Sequence, residues 1–141
     1  MSHGRKDRLS WTEQVSLGLM NFSKFLRSFV TGSVGLAHAF GTEQNMRIHC
    51  LIALGVIGAG FVFAVAAWEW IVLSLCIGMV ISAECMNTAL ERLADRVSQE
   101  THPFIKQAKD CSSAAVLVLA ITAAVVGGVV FVPKLWAAAG W

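Results

Sequence analysis

Residues 70–95 read WIVLSLCIGMVISAECMNTALERLAD. From Trp70 to Ala83 there is no Lys, Arg, Asp or Glu. Glu84, Asn87, Glu91 and Asp95 then arrive at helical spacing. At about 100° per residue, those four side chains share one stripe roughly 80° wide. Arg92 and Arg96 flank the stripe rather than interrupt it. The segment therefore reads as one long helix, apolar at its start and carrying a single polar face at its end.

A bilayer core about 30 Å thick needs about 20 apolar helical residues to cross it. Two further uncharged runs meet that length, Ile48–Trp68 and Cys111–Pro133. Hydrophobic residues make up 56% of the 141-residue chain and charged residues 14%, against about 25% in an ordinary soluble domain. A soluble bundle would need a polar outer face on each helix, and Leu51–Ala67 has none. The expected fold is an all-α membrane protein. A polar N-terminal segment (1–21) precedes a membrane domain (22–135). That domain holds an amphipathic in-plane helix (22–45) and spanning helices over 48–67, 70–97 and 104–132, and residues 136–141 form a short tail.

The in-plane helix is read from Phe22, Phe25, Leu26, Phe29, Val30, Val34, Ala37 and Phe40, with Lys24 and Arg27 on the other side. Trp68 and Trp70 read as interfacial anchors around a tight turn. Thr101 or His102 is expected to cap the last helix with Pro103 in its first turn, and Pro133 to end it. Small-residue rows (Gly55 and Ala59, Gly60 and Ala64, and Ala120, Ala124 and Gly128) suit close helix packing. No secretory signal is expected, because the first apolar run starts near residue 50. Cys50, Cys76, Cys85 and Cys111 match no zinc template and read as small packing residues.

Topology follows from Lys and Arg alone. Of eleven, six precede the first span (Arg5, Lys6, Arg8, Lys24, Arg27, Arg47) and four lie between Arg92 and Lys109. The N-terminus and the loop between the second and third spans are therefore expected on the cytoplasmic side. The acidic groups Glu43, Glu91, Asp95 and Asp110 gather on that side too.

Glu84 lies about 10 Å along the helix axis from Glu91, inside the apolar layer. An ionisable group there costs at least about 2.5 kcal/mol on insertion scales, so it reads as functional. Mg²⁺ takes one or two carboxylates together with phosphate oxygens. An acidic cluster beside Lys109 thus fits nucleotide phosphate chemistry. There is no GxxxxGK[ST] loop, His38, His49 and His102 lack zinc spacing, and the basic residues lack ordered aromatic partners for nucleic acid. The competing reading is a non-catalytic oligomeric membrane protein such as a cation pore. A pore needs polarity through its full depth, and the polar stripe does not continue toward Trp70.

The stretch Ser82–Asp95 contains E-x-x-N-[ST]-A-[IL]-E, and Ala108–Leu117 matches A-K-D-x-x-[SA]-[AG]-A-V-L. With Gly35–Phe40 and Thr42–His49, these motifs resemble the prokaryotic diacylglycerol kinase and undecaprenol kinase family over about residues 22–135. The resemblance implies an ATP-dependent, Mg²⁺-requiring lipid kinase of the bacterial inner membrane, a homotrimer with sites shared between subunits. It implies Glu43 and Glu91 as metal ligands and Glu84 as catalytic base and substrate contact. It also implies Lys24, Asn87, Glu91, Glu100, Lys109 and Asp110 at the nucleotide, and Ser113 at the lipid. Thr42 stands where some relatives have Asn, and Thr31 and Ser33 replace aromatic residues of the diacylglycerol enzymes. The Thr42–His49 motif and His102-Pro103 resemble the undecaprenol branch more closely, which favours undecaprenol over diacylglycerol.

Overall fold

The structure, a computed structural model, describes residues 22–97 and 102–140. They form four helices: α1 (Phe22–Thr42), α2 (Gln44–Val62), α3 (Ala67–Val97) and α4 (Pro103–Ala138). The last three are long and apolar enough to cross a membrane. The chain divides into two compact units after Gly35. In the first, Phe25 stacks on Phe22 and meets Phe29 edge to face along α1. They are exposed, as an amphipathic helix face requires.

The second unit is built around α3, which packs against both α2 and α4. Contacts from α3 run in opposite chain order to those of its neighbours. On α2, His49 meets Glu84 and Gly60 meets Trp70. On α4, Lys109 meets Asp95 and Lys134 meets Glu69. Both neighbours are therefore antiparallel to α3.

Several boundaries differ from the sequence reading. The first two helices are separated by one residue, Glu43, whose φ of −100° and ψ of 125° are extended. Its N–H donates to Ala39 O at 2.9 Å, closing α1, and its own carbonyl accepts from Arg47 N at 3.4 Å, opening α2. The first spanning helix ends at Val62 rather than at 67, and Phe63–Ala66 make the turn, with Ala64 at φ 46°. Glu69 then caps α3, its Oε2 accepting from Ala66 N at 2.6 Å in the manner of a capping-box acid. His102 does cap α4, its Nδ1 accepting from Phe104 N at 3.3 Å.

Pro133 does not end α4, which continues through it to Ala138 and takes in half of the expected tail. A proline removes one backbone donor and crowds one turn, a disruption that membrane helices absorb. Helical bonding resumes beyond it, with Ala139 N donating to Leu135 O at 3.0 Å. Gly140, at φ 83°, closes the helix. The extra turn carries Lys134 to Glu69 Oε2 at 3.0 Å.

Trp70 is also reassigned. Trp68 is exposed as an anchor would be, but Trp70 is half-buried, its ring tilted against Phe61 at a centroid distance of 5.0 Å and lying over Gly60. A Cβ on Gly60 would sit 2.5 Å from the Trp70 ring, whereas a Cβ on Gly55 or Gly58 would meet open space. Of Gly55 and Gly60, the two glycines in the expected small-residue rows on α2, Gly60 alone makes a close approach among the described residues. Gly60→Val should destabilise the α2–α3 hairpin by about 1–3 kcal/mol, the usual cost of overpacking. Gly58→Val should leave the thermal unfolding midpoint in detergent unchanged; equal midpoints for both variants would refute this packing.

Candidate active site

Three layers of side chains occupy the end of the α2–α3–α4 bundle that carries the acidic stripe. The stripe on α3 grades from buried to exposed. Glu84 is 2% exposed and Asn87 9%, Glu91 is half-buried, and the Asp95 side chain is 68% exposed. This is the gradient expected of one helix face rising from an apolar layer to a polar surface.

In the deepest layer, Glu84 Oε1 lies 3.4 Å from His49 Nε2 of α2. That is ion-pair distance, but the two atoms are not aligned as a hydrogen bond. Among the described residues, Oε1 is buried with no hydrogen-bond partner. The Thr88 hydroxyl donates to the Glu84 backbone carbonyl at 2.9 Å, not to its carboxylate.

In the middle layer, Asn87 bridges two helices. Its Nδ2 donates to Glu91 Oε1 at 3.0 Å, and its Oδ1 accepts from Ser113 Oγ of α4 at 3.4 Å. One amide thereby orients both a carboxylate and a hydroxyl. In the outer layer, Lys109 Nζ of α4 meets Asp95 Oδ1 at 2.8 Å. Glu43, at the α1–α2 break, accepts from the Thr42 hydroxyl on Oε1 at 3.1 Å. The same hydroxyl donates to His38 O at 3.0 Å.

Of the expected site residues, Asn87, Glu91 and Ser113 are joined by hydrogen bonds between α3 and α4, Lys109 pairs with Asp95 across the same two helices, and Glu84 faces His49 of α2. Asp110 is exposed on α4, next to Lys109. Lys24 belongs to the unit that ends at Gly35, and Glu100 lies outside the described residues. Two partnerships went unread in the sequence. His49 was tested only for zinc spacing, and Asp95 was not expected to hold Lys109. The matching depths of His49, six residues after Glu43, and Glu84, seven before Glu91, were the available signal. Among the described residues, no group of three or more His, Cys, Asp or Glu side chains converges to hold a metal ion by itself.

The family described as prokaryotic diacylglycerol kinase matches residues 31–131. The chain belongs to that family. As a prokaryotic diacylglycerol kinase family member it is a membrane protein and a lipid kinase. It is 35% identical over 113 residues to the undecaprenol kinase of Bacillus subtilis, covering 80% of this chain and 92% of that protein. It is 40% identical over 111 residues to the diacylglycerol kinase of Synechocystis, covering 78% of this chain but only 63% of the relative. The diacylglycerol kinase of Haemophilus influenzae is 34% identical over 98 residues, 69% and 83% of the two chains. The family match contains every layer of the site, and Lys24 precedes it.

If Asn87 is the shared hinge of the middle layer, Asn87→Leu should lower the initial rate of phosphoryl transfer about 100-fold, as loss of a positioning group can. Ser113→Ala, which leaves the Asn87–Glu91 bond intact, should lower it only a few-fold. Similar losses in the two variants would break this ordering.

Proposed function

We propose that this kinase transfers the γ-phosphoryl group of ATP to the terminal hydroxyl of a membrane lipid alcohol, undecaprenol in preference to diacylglycerol. The observation that carries the reading is the buried Glu84 carboxylate, whose Oε1 has no hydrogen-bond partner among the described residues. It lies one helical face below Asn87 and Glu91. Glu84 acts as the general base, taking the hydroxyl proton of a lipid whose tail stays in the apolar layer. Asn87, Glu91, Glu100, Lys109 and Asp110 bind and orient the nucleotide phosphates. Ser113 faces the acceptor. Phosphoryl transfer needs such positioning and charge neutralisation more than covalent chemistry.

The donor set suits a hard cation, since Glu43 and Glu91 each keep one carboxylate oxygen beyond those bonded to Thr42 and Asn87. Mg²⁺ takes one or two carboxylates and completes its shell with phosphate oxygens and water, so Glu43 and Glu91 would hold it together with the nucleotide. When bound, Mg²⁺ would neutralise charge on the transferring phosphoryl group. The Lys and Arg distribution supports a cytoplasmic N-terminus and a site on the inner leaflet of the bacterial cytoplasmic membrane. By family analogy, the working unit is a homotrimer with sites shared between subunits. The preference for undecaprenol rests on the near-full-length match to the Bacillus enzyme and on the Thr42–His49 motif. A cation pore suits the chain poorly, because α3 between Glu69 and Glu84 presents Leu73, Cys76, Ile77 and Val80 to the bundle interior.

The purified protein should transfer label from γ-³²P-ATP to undecaprenol in mixed micelles, more efficiently than to diacylglycerol, with products identified by mass spectrometry. EDTA should abolish transfer and Mg²⁺ restore it. Glu84→Gln, which keeps the shape but removes the base, should lower kcat by about 10²–10⁴-fold while leaving the KM for ATP unchanged. A Glu84→Gln variant as fast as the parent would remove the base assignment. A kcat/KM higher for diacylglycerol would reverse the substrate preference.

A further inference from the structure

We propose that His49 is a positioning residue of the lipid kinase, holding the Glu84 carboxylate toward the acceptor hydroxyl at the mouth of an apolar cleft. The inference rests on the reading of Glu84 as the base. Four observations lead to it. His49 Nε2 is 3.4 Å from Glu84 Oε1. Among the described residues that oxygen is otherwise unpartnered, in a side chain 2% exposed. Asn87 and Thr88, the polar neighbours on α3, direct their bonds to Glu91 and to a backbone carbonyl, not to the Glu84 carboxylate. Finally, His49 lines one end of a cleft of about 350 Å³ between α2, α3 and α4. The rest of that lining includes Ile52, Val56, Leu73, Val80, Ala124 and Phe131.

The cleft gives His49 a place that a merely structural contact would not need. A lipid alcohol with part of its tail among those side chains would bring its hydroxyl to the polar end. There His49 and Glu84 meet. A 3.4 Å contact is looser than the 2.7–2.9 Å typical of a charge-assisted hydrogen bond. Catalytic hydrogen bonds are often long before substrate binds and tighten in the reactive complex. In the step served, the acceptor O–H bond breaks as its oxygen bonds to the γ-phosphorus. The bond from that phosphorus to the leaving ADP oxygen breaks, and the proton passes to Glu84. His49 takes no part in bond making. It fixes which carboxylate oxygen faces the hydroxyl.

The test uses full-length protein in mixed micelles with undecaprenol and γ-³²P-ATP. His49→Leu is expected to lower kcat about 100-fold, the scale of a misplaced catalytic group, with the KM for ATP within about twofold of the parent. His49→Gln, which restores an N–H donor, should recover at least about tenfold of that loss, since only the donor is required. In the Glu84→Gln background, His49→Leu should cost no further rate, because residues that act through one another are not additive. The proposal is overturned if His49→Leu keeps the parental kcat. It is also overturned if His49→Gln is no better than His49→Leu at equal thermal stability, or if the two losses multiply in the double variant. A parent that phosphorylates no lipid would sink the kinase reading itself. An active parent indifferent to His49 sinks only this inference.

Discussion

A carboxylic acid held among hydrocarbon is the constraint around which this molecule is arranged. Glu84 sits in the middle of a 31-residue helix, at a depth where an ionisable side chain costs roughly 2.5–3.5 kcal/mol on insertion scales. Such a group persists only where its surroundings are specified from several directions. Here α2 supplies His49, α3 itself supplies Asn87 and Thr88 next to it, and α4 supplies Ser113 one layer higher. Helix α3 must therefore lie between the other two, and its antiparallel registry with each is tied to the polar layer as well as to apolar packing.

The two ends of α3 solve different problems. At the turn end, Glu69 is tied down twice, by the Ala66 N–H and by Lys134. Val65, Leu73 and Val130 close a small core beside it, with Val56, Trp70 and Phe131 packed around them. That end is satisfied, and it fixes the helices relative to each other. The opposite end keeps an unpartnered carboxylate oxygen and a graded polar face, which is where chemistry has room to occur. The cleft between them is apolar, so rigidity and reactivity are separated along the same helix.

Much of this was legible in the chain. Charge segregation gave the three spans, because a run without Lys, Arg, Asp or Glu near 20 residues long has few soluble uses. The angular positions of Glu84, Asn87, Glu91 and Asp95 gave the shared face, since helical periodicity needs no tertiary information. Partners across helices were harder. His49–Glu84 and Lys109–Asp95 depend on vertical registry between helices, which turn length and packing set together. Pro133 misled because local propensity stops helices there in water, while a membrane-spanning helix with a distant ion pair to satisfy runs on. Trp70 misled for a related reason, as an aromatic at a helix end is equally suited to lipid headgroups and to a glycine opposite it.

Glu43 deserves a last consideration as a joint. One residue both finishes α1 and begins α2, so the chain has no slack at that point. Adding or removing a single amino acid on either side would turn one helix by about 100° about its axis relative to the other. The turn at Phe63–Ala66 could absorb a small change in length by reshaping itself. Natural variation in the length of such chains should therefore concentrate at turns and ends and spare the α1–α2 joint, making it the point from which the whole molecule is best aligned by eye.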